Sequence, residues 1–414
     1  MSRTIVVGAG VIGLACAYSL RRRGREVVVG DMGLPGRACT KGNAGWITPS
    51  ISAPIPAPGL TWTSIKWMLK SDSPLYISPT AAPGLARWLW RFWGYCNPRD
   101  FVTGLNAVAT LNQSTHAAFA QLERDGVGFE HHRDGLLFVF KDEHYMENVR
   151  GEFDYYYKNY GYEVPAALSG DDVRRLEPAV SDAVTAGFLV KEESHVRPET
   201  LAAGYSAKLA ALGVEVKTGV RVTRAVKSGG RVTGLETDAG SLSADEVLIA
   251  AGAWSGQVTE LFGVSLPVQA GKGYSITVNG AGPALRRALY LGEARIGCSP
   301  FDGAVRFAGT MELSGINTDL DRRRVTGIRK GIRDYLRQPL GETEGTEWVG
   351  MRPLTPDGMP MLGKVPGFDN LFVATGHAML GVTLAPVTGE VMADLMTGEG
   401  NPVVKPFDPG RFRW

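Results

Sequence analysis

The residues with the clearest chemical meaning open the chain. Gly8-Ala9-Gly10-Val11-Ile12-Gly13 sits between two apolar runs, and the second run ends in Asp31. In a strand–turn–helix each glycine has its own task. Gly8 permits a tight turn, Gly10 lets backbone approach a pyrophosphate, and Gly13 lets the helix pack on the strand. The helix opened by Val11 and Ile12 offers free N–H groups and a partial positive charge to phosphates. Asp31 would accept hydrogen bonds from a ribose hydroxyl pair. The plain alternative is a glycine-rich turn without a ligand; the flanking strands and helix argue against it. The motif does not separate FAD from NAD. No metal site is expected, because the six histidines form no H-x-x-x-H or H-E-x-x-H pattern. Cys16, Cys39, Cys96 and Cys298 make no C-x-x-C pair. That argues against zinc and against a disulfide framework, and it suits a reducing compartment.

These residues need elements to hold them. Residues 3–7 read as an apolar strand, 11–23 as a helix stopped at Gly24, and 26–30 as a second strand. Such a βαβ opening of about 30 residues is what a dinucleotide fold requires. Pro49 to Pro83, rich in proline, serine and tryptophan, reads as a domain crossover. A helix is expected over 104–125 and a strand over 136–140. Tyr155 to Tyr162 reads as an aromatic, polar interdomain stretch. A new α/β stretch begins near 184. Pro198 suits the first turn of a helix that Gly213 stops. Strands follow over 214–250, with turns at 228–230 and 238–240, and again over 266–312. A basic helix over 322–337, a strand over 371–374 and a helix over 382–397 complete the pattern.

Length and composition bound the function. The chain has 414 residues, which suits two domains rather than one. Apolar residues at 44% and charged residues at 21% allow a sizeable core. A net charge of +2 gives no basic excess for nucleic acid. Residues 4–20 are apolar, but glycines interrupt them and no small-residue cleavage site follows, so they are not read as a signal peptide. No apolar run reaches the roughly 20 residues of a spanning helix. The expected location is cytoplasmic, with peripheral contact at the inner membrane face left open.

Further motifs point to a family. Thr40-Lys41-Gly42-Asn43-Ala44-Gly45 is followed by Thr48-Pro49, Ala53-Pro54 and Ile65-Lys66-Trp67-Met68. Lys272-Gly273-Tyr274-Ser275, the run WVGMRPLTPDGMPMLG from Trp348 to Gly363, and TGHAMLG from Thr375 to Gly381 come later. In this order they resemble the D-amino-acid dehydrogenases of the D-amino-acid oxidase and glycine oxidase superfamily, over nearly the whole length. The resemblance implies an α/β plus α+β fold: a Rossmann-type FAD-binding domain with an interleaved mixed-sheet substrate domain. The expected division is 1–56, 165–262 and 345–414 for FAD, and 57–164 and 263–344 for substrate. It implies FAD, with Thr40, Asn43, Ala44, Gly45 and Trp46 in the segment passing under the flavin. Val222 would clamp adenine through backbone groups, and Ala251 and Gly252 form the second turn at the sheet edge. The loop of Gly376 and His377 leads to Gly381, Val382 and Thr383. Its N–H groups would face the flavin C2 carbonyl, which gains negative charge on reduction. Sarcosine oxidases carry a flavin-linked cysteine in the 348–357 segment. Gly350 stands at that position here, so non-covalent FAD is expected.

The same resemblance assigns the substrate residues. Arg352 would grip a substrate carboxylate, whose two oxygens match the guanidinium fork. The alternative is a structural ion pair, for example with Asp357. Tyr274 would donate a hydrogen bond near the carboxylate, or be a core tyrosine. The implied reaction is oxidative deamination of a small D-amino acid by hydride transfer from Cα to flavin N5. It needs proximity and orientation rather than a dedicated base. His377 is expected to matter through its backbone, His195 to pack where a helix begins, and His131-His132 to form a solvated turn. The electron acceptor would be a quinone or another carrier. Trp62, Trp67, Trp88, Trp90 and Trp93, with Lys66, Lys70, Arg87 and Arg91 between them, suit a membrane-side contact, although plain core packing with solvated lysines explains them slightly better. Two alternatives stay open: a cyclic D-imino acid (D-proline, D-hydroxyproline) or sarcosine-like amine as substrate, and a flavin subunit of a larger electron-transfer complex.

Overall fold

A computed structural model describes residues 2–59, 75–78, 82–280, 282–338, 340–341 and 343–412. The tract Ile65-Lys66-Trp67-Met68, with Trp62 and Lys70, lies outside the described residues. Short β-branched runs build the first sheet. Strands β1 (Arg3–Val7) and β2 (Glu26–Asp31) pair in parallel and are joined by helix α1 (Val11–Arg22). The six-stranded order is Glu215–Thr218, β2, β1, Glu246–Ile249, Leu371–Thr375, Met361–Lys364. Only the last pair is antiparallel. Alternation along β1 sends Val6 to one core and Ile5 and Val7 to another, so both faces are covered. Helices α1, Pro198–Ala211 and Gly381–Thr397 bury Leu14, Leu201, Leu384 and Met392 on the first face. On the second, Ile5, Val247 and Ile249 pack with Val232 and Leu235 of a three-stranded meander, Val222–Ser228, Arg231–Thr237 and Gly240–Ser243.

A second, mixed sheet gathers strands from distant parts of the chain. Its order is Thr346–Leu354, Gln269–Asn279, Ala304–Leu313, Ile296–Phe301, Ala288–Leu291, Leu136–Phe140, Ala186–Val190, Ala167–Ser169, and Leu75–Ile77 pairs with Ala304–Leu313. Helix Arg322–Arg333 covers one face, with Val325, Ile328 and Ile332 against Tyr274, Ile276 and Val278. A Rossmann-type sheet with an interleaved mixed sheet is therefore the observed architecture. Boundaries at 165 and 345 fall across the pairing, because Ala167–Ser169, Ala186–Val190 and Thr346–Leu354 hydrogen-bond into the mixed sheet.

Local readings differ in four places. The helix expected over 104–125 is two helices, Pro98–Asn112 and Thr115–Arg124. The first is fixed by the Asn97 side chain accepting from the Asp100 N–H, with Pro98 in its first turn. Tyr155 to Tyr160 belongs to helix Glu143–Tyr160, capped by Asp142 and stopped at Gly161. Its phenols fasten to earlier segments: Tyr155 to Asn106 and Tyr156 to the Ser52 carbonyl. The basic helix ends at Arg333, after which Leu336 bridges to Val180. His131-His132 is no solvated turn, since it pairs as a strand with Ser194–Val196 and His131 bonds Glu123 and Ser194. His195 lies on that same strand, stacked on His132 and bonded to the Pro300 carbonyl. Burial pushes its imidazole down to about 4, so it stays neutral.

Candidate active site

The glycine turn creates the first wall of a long cavity. Gly8 has φ of +113°, and a Cβ there would come within 2.4 Å of the Ala250 carbonyl oxygen. A Cβ on Gly13 would come within 1.9 Å of the Gly8 oxygen. These two positions thus lock turn, helix and neighbouring strand together. At Gly10 a Cβ would meet only Thr40 Oγ1, at 3.8 Å, so this glycine faces open space. No side chain caps Gly10 at the start of α1, and the Val11 N–H donates to Thr40 Oγ1 at 3.2 Å. Asp31 accepts from the Ala9 and Gly33 N–H groups at 2.6 and 2.7 Å. Gly8, Gly10, Val11, Ile12, Asp31, Thr40 and Asn43 line the cavity, as do Val222, Ala251, Gly252, His377, Gly381 and Val382. A helix N-terminus at which Thr40 takes the Val11 N–H, an open glycine at Gly10 and a carboxylate at the second strand's end fit a dinucleotide.

Gly13, Ala44, Gly45, Trp46, Gly376 and Thr383 are not among the residues that line the cavity, and several of them fix backbone next to it. Thr383 Oγ1 donates to the Trp46 carbonyl at 2.8 Å and accepts from the Thr48 N–H at 3.3 Å. Ser299 donates to the Ala44 carbonyl and accepts from the Trp46 indole. Arg306, almost fully buried, reaches across from the mixed sheet. It donates to the Asn43 carbonyl at 2.9 Å and Thr277 Oγ1 at 3.0 Å, and pairs with Glu199. His377 bonds Thr388 through Nε2 at 3.0 Å, and burial pushes its imidazole down to about 3. It is neutral at any working pH.

Arg352 sits beside the cavity on the edge strand of the mixed sheet. Register pairs it with Gly271, and its guanidinium lies across Gly273, where a Cβ would come within 2.3 Å of Cζ. Nη1 donates to the Thr310 carbonyl at 2.8 Å. Thr310 has φ of +61°, next to a register shift between the strands, and strain of this kind gathers at functional sites. Among the described residues no carboxylate pairs with Arg352. Asp357 is held instead by Arg411 at 2.6 Å. Burial lowers the pKa of Arg352, partly offset by Cys39, which lines the cavity.

Tyr274 is a correction. It pairs with Val349, on the face opposite to Arg352, and both pack in the core under helix Arg322–Arg333. Its phenol donates to Glu312 at 2.6 Å, and Glu312 pairs with buried Lys272 at 3.2 Å. Burial and Glu312 push the phenol well above its usual range. Because side chains alternate across a strand, Tyr274 and Arg352 cannot meet on one ligand. Tyr274→Phe is expected to lower stability by about 2 kcal/mol, the size of a hydrogen bond to a charged group. It should leave kcat/KM nearly unchanged; thermal melting and anaerobic flavin bleaching check the two halves.

Sequence reasoning missed several cavity residues: Met32, Cys39, Val220, Arg221, Trp254, Gln257, Met351 and Pro353. Trp254 and Gln257 follow the Ala251-Gly252 turn, and Met351 and Pro353 flank Arg352, so proximity to a motif was the available signal. Val220 and Arg221 adjoin Val222 in the same way, and sheet pairing brings them beside Asp31.

A mostly parallel sheet presenting a glycine turn to a long cavity, with a mixed sheet beside it, defines a two-sheet dinucleotide-binding protein. Comparison with known proteins agrees. Residues 3–395 match the DAO family, described as FAD dependent oxidoreductase. A protein of Methylobacterium nodulans named D-amino acid dehydrogenase is 32% identical over 96% of this chain and 95% of its own. One of the same name from Bradyrhizobium diazoefficiens is 30% identical over the same shares. The solved glycine oxidase of Geobacillus kaustophilus, 22% identical, shares the fold with a TM-score of 0.77 over all of both chains. The chain belongs to the DAO family of FAD-dependent oxidoreductases, and its cofactor is FAD.

Proposed function

We propose that this enzyme oxidatively deaminates a small D-amino acid, with electrons passing to a quinone or similar acceptor. The observation that carries the reading is Arg352, a guanidinium beside the cofactor cavity with no carboxylate partner among the described residues. A cation held there without a counter-ion is suited to an anionic ligand, and the two oxygens of a carboxylate match its fork. The names of the two relatives support a D-amino acid.

When bound, FAD supplies the two-electron acceptor chemistry. The chain supplies binding and orientation. In this reading Gly8, Gly10, Val11, Ile12 and Gly13 hold the pyrophosphate turn, Asp31 the ribose and Val222 the adenine. Thr40 to Trp46, Ala251, Gly252, and the loop and helix from Gly376 to Thr383 enclose the rest. The N-terminus of helix Gly381–Thr397 favours negative charge nearby. Attachment is non-covalent. A Cβ at Gly350 would come within 2.0 Å of the Trp348 ring, so a linking cysteine has no room there. The test is anaerobic mixing of the purified protein with D- and L-amino acids, D-proline and sarcosine, read by flavin absorbance. Bleaching by D-amino acids supports the reading. Bleaching only by D-proline or sarcosine moves the substrate to secondary amines, and no flavin band would overturn it. Admitting air afterwards separates an oxidase from a dehydrogenase.

A peripheral membrane contact belongs to the same proposal. Helix Ala82–Gly94 turns Leu85 and Trp88 toward Leu313, Leu354 and Ala378 at the rim of the site. Its outer side leaves Trp90 and Trp93 73% and 61% exposed, with Arg87 exposed beside them. Exposed aromatics with basic neighbours suit an anionic bilayer surface. No helix of the described residues is long and apolar enough to cross a membrane. The holoprotein is expected to co-sediment with anionic vesicles, and Trp90→Ser with Trp93→Ser to weaken this by about tenfold. Equal recovery of both proteins in the supernatant would remove the contact.

A further inference from the structure

We propose that Gly273 is a positioning residue: its lack of a side chain lets the Arg352 guanidinium lie flat on the sheet and keep one edge open to a substrate carboxylate. This role rests on the reading of Arg352 as the carboxylate's partner.

The sheet is bare where Arg352 lies. Gly271 pairs with Arg352, and Gly273 pairs with Gly350. Directly paired residues share a face of a sheet, as do residues two apart on one strand. Gly271, Gly273, Gly350 and Arg352 therefore stand on one face, and three of the four have no side chain. These glycines seat different groups. A Cβ on Gly271 would come within 2.6 Å of Leu354 and 2.8 Å of the Met311 sulfur, and one on Gly350 would strike the Trp348 ring. A Cβ on Gly273 would stand 2.3 Å from Arg352 Cζ, 2.3 Å from Nη1 and 2.4 Å from Nη2, its three nearest atoms. Such near-equal distances put the face of the fork, rather than its edge, against the glycine.

The backbone gives no other reason for a glycine here. Gly273 is buried within strand Gln269–Asn279, and its φ lies outside the left-handed region. What bars a side chain is the guanidinium itself.

The next strand fixes how the fork is turned. The register shifts between Lys272 and Tyr274, so that Thr310 and Met311 together oppose the single Gly273. At this bulge Thr310 takes φ of +61°, which a β-branched residue rarely adopts. Its carbonyl accepts from Nη1 at 2.8 Å, and the Met311 sulfur lies 3.8 Å from the same nitrogen. Nε and Nη2 bond none of the described residues, and neither is sealed away from open space. Together they form an edge of two parallel donors, the arrangement that takes a carboxylate by both oxygens. One face on Gly273 and one nitrogen on Thr310 thus leave that edge free.

A methyl at position 273 would strike the far end of a flexible side chain rather than backbone. It should therefore displace the fork and leave the fold intact. The experiment compares wild type, Gly273→Ala, Arg352→Ala and the double variant as holoproteins. It reads kcat and KM with an artificial electron acceptor, and the thermal midpoint. The probe is the D-amino acid that bleaches the wild-type flavin, D-alanine being tried first. Gly273→Ala is expected to lower kcat/KM about a hundredfold, chiefly through KM, because the charge remains but its aim is lost. Its flavin spectrum and thermal midpoint should stay close to those of wild type. In the Arg352→Ala background, where no guanidinium is left to strike, the same methyl should change kcat/KM by less than about twofold. A wild-type KM in Gly273→Ala overturns the positioning role. So does a loss as large without the guanidinium as with it, since the methyl would then act through the strand. If Gly273→Ala does not fold but the double variant does, the guanidinium is still the group that the glycine accommodates; failure of both overturns the proposal. Arg352→Ala with wild-type kcat/KM would instead remove the reading of Arg352 on which the role rests.

Discussion

Replacing Arg352 by alanine is expected to lower kcat/KM for a D-amino acid by about a thousandfold while the flavin spectrum stays that of the wild type. The size is that of losing one partner of a desolvated, hydrogen-bonded charge pair, about 3–5 kcal/mol. The spectrum should survive because Arg352 stands beside the cavity rather than in its wall. Truncation also frees the Thr310 carbonyl, which now accepts from Nη1. Arg352→Lys is the informative companion. Lysine keeps the charge and loses the planar fork, so an intermediate loss, mostly in KM, is expected. Steady-state rates with an artificial acceptor, beside flavin absorbance, separate the two effects. Unchanged kcat/KM in the alanine variant would remove Arg352 from the site.

Gly13→Ala is expected to yield a destabilised protein without flavin, whereas Gly10→Ala is expected to yield a stable protein that binds flavin weakly. The two glycines sit in one turn and differ in what a methyl would strike. At Gly13 it would meet the Gly8 oxygen at 1.9 Å, and Gly8 cannot retreat because Ala250 lies behind it. Such overpacking costs about 1–3 kcal/mol or more. At Gly10 the methyl would point past Thr40 into the cavity and occupy ligand space. Thermal melting and the ratio of flavin to protein absorbance read both outcomes. A Gly10→Ala protein with full flavin content would sink the assignment of that opening to the cofactor.

The strand, glycine turn, helix and second strand of the first 31 residues were legible in the sequence because every contact that defines them is local. Gly24 and Gly213 after their helices, and Pro198 in a first turn, were legible for the same reason. The order of motifs from Thr40 to Gly381 carried the family and FAD. Other features depended on partners far along the chain. Gly273 looks like an ordinary strand glycine until folding lays the Arg352 guanidinium across it. Strand pairing, not composition, drew Ala186–Val190 and Thr346–Leu354 into the mixed sheet. Arg352 and Tyr274 show the division most sharply. The sequence by itself determined that Tyr274 falls in a strand-rich stretch and Arg352 in a family motif, expected in different domains; the structure puts both on neighbouring strands of one sheet. Only the register of Thr346–Leu354 against Gln269–Asn279 decided that they point to opposite faces, because the pleat has a period of two and a one-residue shift would exchange the faces.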